Sequence, residues 1–114
     1  MILRFLGLVL VATLLINYPL ALAAPRSPQP SEQPGIVAAV EAYVRKEAGV
    51  PRVKVQRILI EGQFARAEVV PLGVQTDSAT AYLRKQGTAW RVIAFGTDFE
   101  PGELARFGVP RSLQ

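Results

Sequence analysis

Two short reversals constrain this chain more than any other feature. Glu61-Gly62-Gln63 and Gln86-Gly87 each place a glycine between extended runs rich in β-branched or alternating residues. The first run, residues 53–60, reads VKVQRILI. Its alternation slips: Val53 and Val55 share one face, whereas Ile58 and Ile60 fall on the other. A bulge near Gln56 or Arg57 absorbs such a slip. The second run, residues 64–70, alternates cleanly, with Ala65, Ala67 and Val69 opposite Phe64, Arg66, Glu68 and Val70. Residues 79–85 set Ala79, Ala81 and Leu83 against Thr80, Tyr82 and Arg84. Residues 88–95 are apolar on both faces, Trp90, Val92 and Ala94 against Arg91, Ile93 and Phe95. Such a strand suits the middle of a sheet, or one with a helix on one face and a dimer contact on the other. These are two successive antiparallel hairpins.

One long helix packed across one sheet face is the simplest way for a chain this short to bury both amphipathic surfaces. That helix precedes the hairpins. Over residues 36–47, Ile36, Val40, Tyr43, Val44 and Glu47 recur at helical spacing, and Val37 widens the stripe. Glu41 and Arg45 lie four apart on the opposite side. Gly49 and Pro51 end the helix. At the other end, Pro101 and Glu103 suit a first helical turn, and Gly108 with Pro110 stops it. Phe99, Leu104 and Phe107 are expected to staple this tail across the domain edge. The expected fold is therefore α+β: one N-terminal helix packed on a four-stranded antiparallel sheet, with a short C-terminal helix. The core should include Ile36, Val40, Tyr43, Val44, Leu59, Val69, Leu83, Trp90, Val92, Phe95, Leu104 and Phe107.

The segment GQFARAEV, residues 62–69, followed by AYLRKQGTAWRVIAFG, residues 81–96, resembles the strand-turn-strand hallmark of small exported domains in the cystatin-like and nuclear-transport-factor-2-like superfamily. The order of elements resembles it too. The resemblance implies a cystatin-like arrangement. Larger members enclose pockets with extra N-terminal helices, and only one helix of useful length precedes the strands here. The Gln-x-Val-x-Gly inhibitory loop of proteinase-inhibiting cystatins is missing.

The N-terminal residues carry an export pattern. Arg4 precedes an apolar run from Phe5 to Ile16, and Ala21-Leu22-Ala23 supplies the small residues a signal peptidase admits. Residues 1–23 are thus expected to be a signal peptide cut after Ala23, a cut after Ala24 being the neighbouring choice. The alternative is a retained membrane anchor, although the uninterrupted apolar run is shorter than the roughly 20 residues that span hydrocarbon. The expected compartments are the periplasm, a thylakoid lumen or the extracellular space. Residues 24–35, APRSPQPSEQPG, are proline-rich and polar and are expected to form a flexible linker. Residues 36–114 are expected to be one domain.

Chemistry is bounded by composition. The chain has no cysteine and no histidine. Disulfides, a lipid-modified cysteine and thiol nucleophiles are excluded, as are Ser-His systems and the commonest zinc ligands. An exported domain of this size without disulfides depends on its apolar core or on a partner. No phosphate-cradling glycine loop is present, and no cofactor or metal is expected. The net charge of +4 includes Arg4, and without it the chain carries +3, spread along the sequence with acids interspersed. That pattern argues against nucleic acid and is compatible with weak attraction to an anionic membrane surface.

The remaining candidates are few. Asp98 and Glu100 form a possible acidic site for proton transfer or a hard cation, but they equally suit turn and cap roles. Tyr82 and Trp90 are expected to point together, inward as core or outward as a binding patch edged by Arg84 and Arg91. No catalytic residue is assigned. The expected role is a non-catalytic exported binding or accessory domain with a protein partner. The alternatives are a structural subunit of a membrane-associated complex, or a small cone-type ligand-binding protein or enzyme using carboxylates. Homodimerisation through the sheet is a further expectation.

Overall fold

The computed structural model describes residues 24–114. The expected signal segment, residues 1–23, lies outside the described residues. Helix α1 (Gln33–Glu47) is followed by four strands, β1 (Val53–Glu61), β2 (Phe64–Pro71), β3 (Ala79–Gln86) and β4 (Ala89–Gly96). A short helix α2 (Glu103–Arg106) and a 3-10 turn (Arg111–Leu113) complete the chain. The sheet is an antiparallel meander in the order β1-β2-β3-β4. The α+β architecture expected from the hairpins and the helical stripe is the one present.

The two reversals are alike. Gly62 and Gly87 take φ of 58° and 63°, and each opens a two-residue turn between paired strand ends, Glu61 with Phe64 and Gln86 with Ala89. A first-position glycine with positive φ matches the right-handed twist of the flanking strands.

Both hairpins also contain a bulge. In β1 the register shifts between Gln56 and Leu59, and Arg57 sits at φ 51°. This is the slip anticipated from the alternation. It returns Ile58 and Ile60 to the face of Val53 and Val55, so all four reach the core beneath α1. The second bulge lies in β4, where Leu83 pairs with Val92 but Tyr82 pairs with Ala94. The extra residue corrects the expected faces of this strand. Trp90, Val92 and Phe95 pack toward α1, whereas Ile93 and Ala94 pack on the opposite side.

The core therefore has two layers. Ile36, Val40 and Val44 of α1 press on Ile58, Ile60, Ala65, Ala67, Val69, Ala81 and Leu83. The alanines on β2 and β3 let the helix approach closely, and the larger side chains fill the flanks. Tyr43 meets Phe95 with ring centroids 5.7 Å apart. On the other face, Leu104, Val109 and Leu113 cover Tyr82 and Ala94, with Leu59, Phe64, Ile93 and Phe99 around them. The tail thus covers the second sheet face rather than stapling an edge. Phe107, expected in the core, is 44% exposed; Val109 and Leu113 do its work at 4% and 2%. Trp90 is half-buried rather than central, because β4 is an edge strand.

The proline-rich segment is more ordered in its contacts than its composition suggests. The α1 helix begins at Gln33, ahead of the expected Ile36, and takes Pro34 into its first turn, where a missing N–H costs nothing. Arg26 forms an antiparallel bridge with Ile60: its N–H donates to the Ile60 carbonyl at 2.8 Å, and the Ile60 N–H donates back at 2.7 Å. The Arg26 guanidinium donates to both oxygens of Glu32 at 2.8 and 2.9 Å. The Gln29 N–H adds a third bond at 2.8 Å. Together they hold the Glu32 carboxyl at about 2, down from its ordinary 4.5, the Arg26 hydrogen bonds being the main cause.

Candidate functional site: the β4 edge and its two faces

Register decides which candidate residues meet. The two-residue turn pairs Lys85 with Trp90 and Arg84 with Arg91. Tyr82, Arg84 and Arg91 therefore share the tail-side face of the sheet, and Trp90 lies on the helix side. Tyr82 and Trp90 do not form one patch. Turn length was the signal for this: a two-residue turn makes Trp90 the partner of an odd-numbered residue, and Tyr82 is even.

Tyr82 is buried, with its ring edge-on to Phe99 at 5.4 Å. Its hydroxyl accepts a hydrogen bond from Arg66 Nε at 3.3 Å. It lines a polar groove of about 360 Å³ with Arg66, Thr80, Asp98 and Glu100. Both carboxylates are exposed there. The Glu100 backbone serves the turn, its N–H donating to Glu103 Oε1 at 3.0 Å and its carbonyl accepting from the Glu103 N–H at 3.0 Å. Among the described residues no group of three or more potential ligands is placed to hold a metal ion.

The helix side of β4 differs. Ala39, Tyr43, Lys46 and Glu47 of α1 and Trp90, Arg91 and Val92 of β4 enclose a groove of about 340 Å³. Trp90 packs near the backbone of Gly35, where a Cβ would lie 3.6 Å from its Cδ1. The Lys85 ammonium sits 5.8 Å from the Trp90 ring centroid. A separate, more apolar crevice of about 310 Å³ opens where α1 ends, between Val44, Val50, Val69, Ala79 and Phe95.

No protein family, curated protein or solved structure matches this chain.

The backbone supplies the decisive feature. Bonded and non-bonded pairs alternate along an antiparallel ladder, and a two-residue turn closes on a bonded pair. Counting from Gln86–Ala89, the Lys85–Trp90 pair is non-bonded, so the backbone N–H and C=O of Trp90 point outward. Among the described residues no strand or bridge pairs with that side of β4. Arg84 and Arg91, directly opposite each other and both exposed, are the polar flank of this edge. The Arg84 guanidinium lies over the Phe64 ring at 5.6 Å. Neither arginine makes an ion pair among the described residues, whose ion pairs are Arg26–Glu32 and Arg57–Glu68.

Proposed function

We propose that this chain is a non-catalytic, exported binding domain that takes a protein partner along the outer edge of β4. The partner contributes an extended segment that adds a further strand to the sheet. The observation that carries this reading is the open edge: among the described residues the outward backbone groups of Trp90 stand unpaired, beside a groove with room for a side chain. Export rests on the apolar run and the Ala21-Leu22-Ala23 motif. The proposed compartment is the periplasm, a thylakoid lumen or the extracellular space, with membrane anchorage if the segment is retained. The absence of histidine and cysteine and the exposure of Asp98 and Glu100 support a role without bond chemistry.

Paired variants test the edge. Trp90→Val and Trp90→Pro both remove the indole, but only proline removes the outward N–H, a change an edge strand tolerates. Capture of the partner from the native compartment should survive Trp90→Val in weakened form and disappear with Trp90→Pro. Asp98→Asn and Glu100→Gln should leave capture and complementation of a deletion strain intact. Loss of function in either carboxylate variant, with the protein folded and abundant, would overturn the non-catalytic reading.

A further inference from the structure

We infer that the strand received by β4 sets an acidic residue beside Arg91, flanked by apolar residues that face Trp90 and Val92. The inference rests on the strand-addition reading above and deepens it. It starts from an electrostatic conflict: Arg84 and Arg91 are directly opposed cross-strand neighbours on one face. Like charges in that position destabilise a sheet. Arg84 is held over Phe64, so it is not free to swing away without losing that contact. A carboxylate placed beside Arg91 on an added strand converts this repulsion into attraction, and the planar guanidinium fork suits it.

The opposite face of the same edge asks for something else. Trp90, Val92 and Phe95 turn toward the helix and are only half-buried. An apolar side chain from an added strand would rest against the half-buried Trp90 and Val92, at the edge of a groove that Lys46 and Glu47 also line. Side chains of a strand alternate between faces. A strand that satisfies both sides of β4 therefore has an acid beside Arg91 and apolar residues flanking it, against Trp90 and Val92. A second copy of this chain is the poorer occupant. Antiparallel β4–β4 pairing would bring two more arginines to the seam.

Trp90 is the only tryptophan in the chain, so its fluorescence reports on this edge alone. The probe is a synthetic peptide alternating glutamate and valine, with a lysine–valine peptide as its charge-reversed counterpart. The glutamate peptide should produce a saturable change in Trp90 emission and slow exchange of the Trp90 amide. Arg91→Glu should weaken it roughly tenfold or more, and Arg91→Lys by less. The doubly reversed Arg84→Glu, Arg91→Glu protein should prefer the lysine peptide. Equal binding of both peptides by the unaltered protein, with the Trp90 amide protected, would overturn the charge pattern and leave strand addition standing. Protection by neither peptide would overturn both. Concentration-dependent protection without peptide, or a response to anionic phosphatidylserine vesicles in place of the glutamate peptide, would assign the edge to a second copy or to a membrane and refute the proposal.

Discussion

The two edges of the sheet are built in opposite ways. On β1 the outer backbone of Ile60 is already paired with Arg26, and residues 27, 28 and 33 lie alongside Val55 to Ile58. The segment that does this is rich in proline, which cannot donate to a ladder and so ends it. The bulge at Arg57 bends the strand further, and Lys54 and Arg57 are exposed along it. These are the devices by which proteins keep an edge from recruiting another chain. On β4 the turn-proximal half, Ala89 to Val92, keeps regular register with β3, and its outward groups have no partner among the described residues. The bulge at Ile93 comes only beyond it. Among the described residues, the same sheet therefore has one edge paired with its own chain and one without a paired segment.

The largest expected effect breaks this contrast at the level of stability. Ile60 is fully buried under α1 while its backbone holds Arg26. Ile60→Ala should cost about 2–5 kcal/mol. Within a total of about 5–15 kcal/mol this brings the domain near unfolding. Val92→Ala on the open edge should cost about 1 kcal/mol or less, because Val92 is only half-buried. Chemical denaturation of the two variants measures the difference. Equal losses would mean that β4 is as structural as β1 and not an edge held for a partner.

The next largest effect concerns the β1 bulge. Arg57 occupies a left-handed conformation that non-glycine residues enter at a cost, and branched ones most of all. Arg57→Val should lose about 1–2 kcal/mol, whereas Arg57→Gly should hold or gain stability despite giving up the 3.8 Å contact with Glu68. Thermal unfolding of the pair is the check. A stable valine variant would show that the bulge can move, and with it the protection of this edge.

Much of this architecture was legible from the residues. The helix stripe of Ile36, Val40 and Val44 and the glycine turns depend on local spacing, and so does the slipped alternation of residues 53–60. All three came through. What local spacing could not show was a choice made across strands. The bulge at Ile93 has no slip in its own sequence, because residues on both faces of β4 are apolar. It is set by the need to turn Phe95 toward Tyr43 and Ala94 toward Tyr82. Val109 and Leu113 are lone apolar residues among glycine, proline and polar neighbours, with no period to mark them. Their burial follows from the second sheet face needing cover. The Arg26–Ile60 bridge is made by backbone groups, so composition carried no trace of it. At the site, Arg84 and Arg91 were visible as one hairpin's charges, but the open backbone of β4 emerges only from strand order.

A smaller effect probes the helix side of the open edge. Gly35 lies inside α1 with an ordinary helical backbone, and a methyl group there would meet only the Trp90 ring, at comfortable distance. Gly35→Ala should stabilise the domain by about 0.5–1 kcal/mol through helix propensity. Its Trp90 emission should change little. A marked shift in emission with no gain in stability would mean that the indole needs the space above Gly35, and that the groove beside it is set by this glycine.

The smallest effect belongs to the lock on the closed edge, and pH reads it. Glu32 has its carboxyl lowered to about 2 in the folded chain from 4.5, chiefly by the Arg26 hydrogen bonds and then by the Gln29 N–H. A carboxyl with a lowered folded value stabilises the fold fully above its unfolded value. That contribution declines as pH falls from 4.5 and is gone below about 2. Protonation removes an acceptor that Arg26 needs, and Arg26 is the residue bridged to Ile60. Exchange of the Ile60 amide should therefore accelerate, relative to amides in the centre of β2, as pH is lowered through this window. In Glu32→Gln the relative rate should already be raised at neutral pH and should not change further with acid. The Trp90 amide, on the edge that has no lock, should show no such step in either protein. A step of equal size at Trp90 would mean that acid loosens the whole domain, and the closure of β1 would then be a property of the fold rather than of its N-terminal segment.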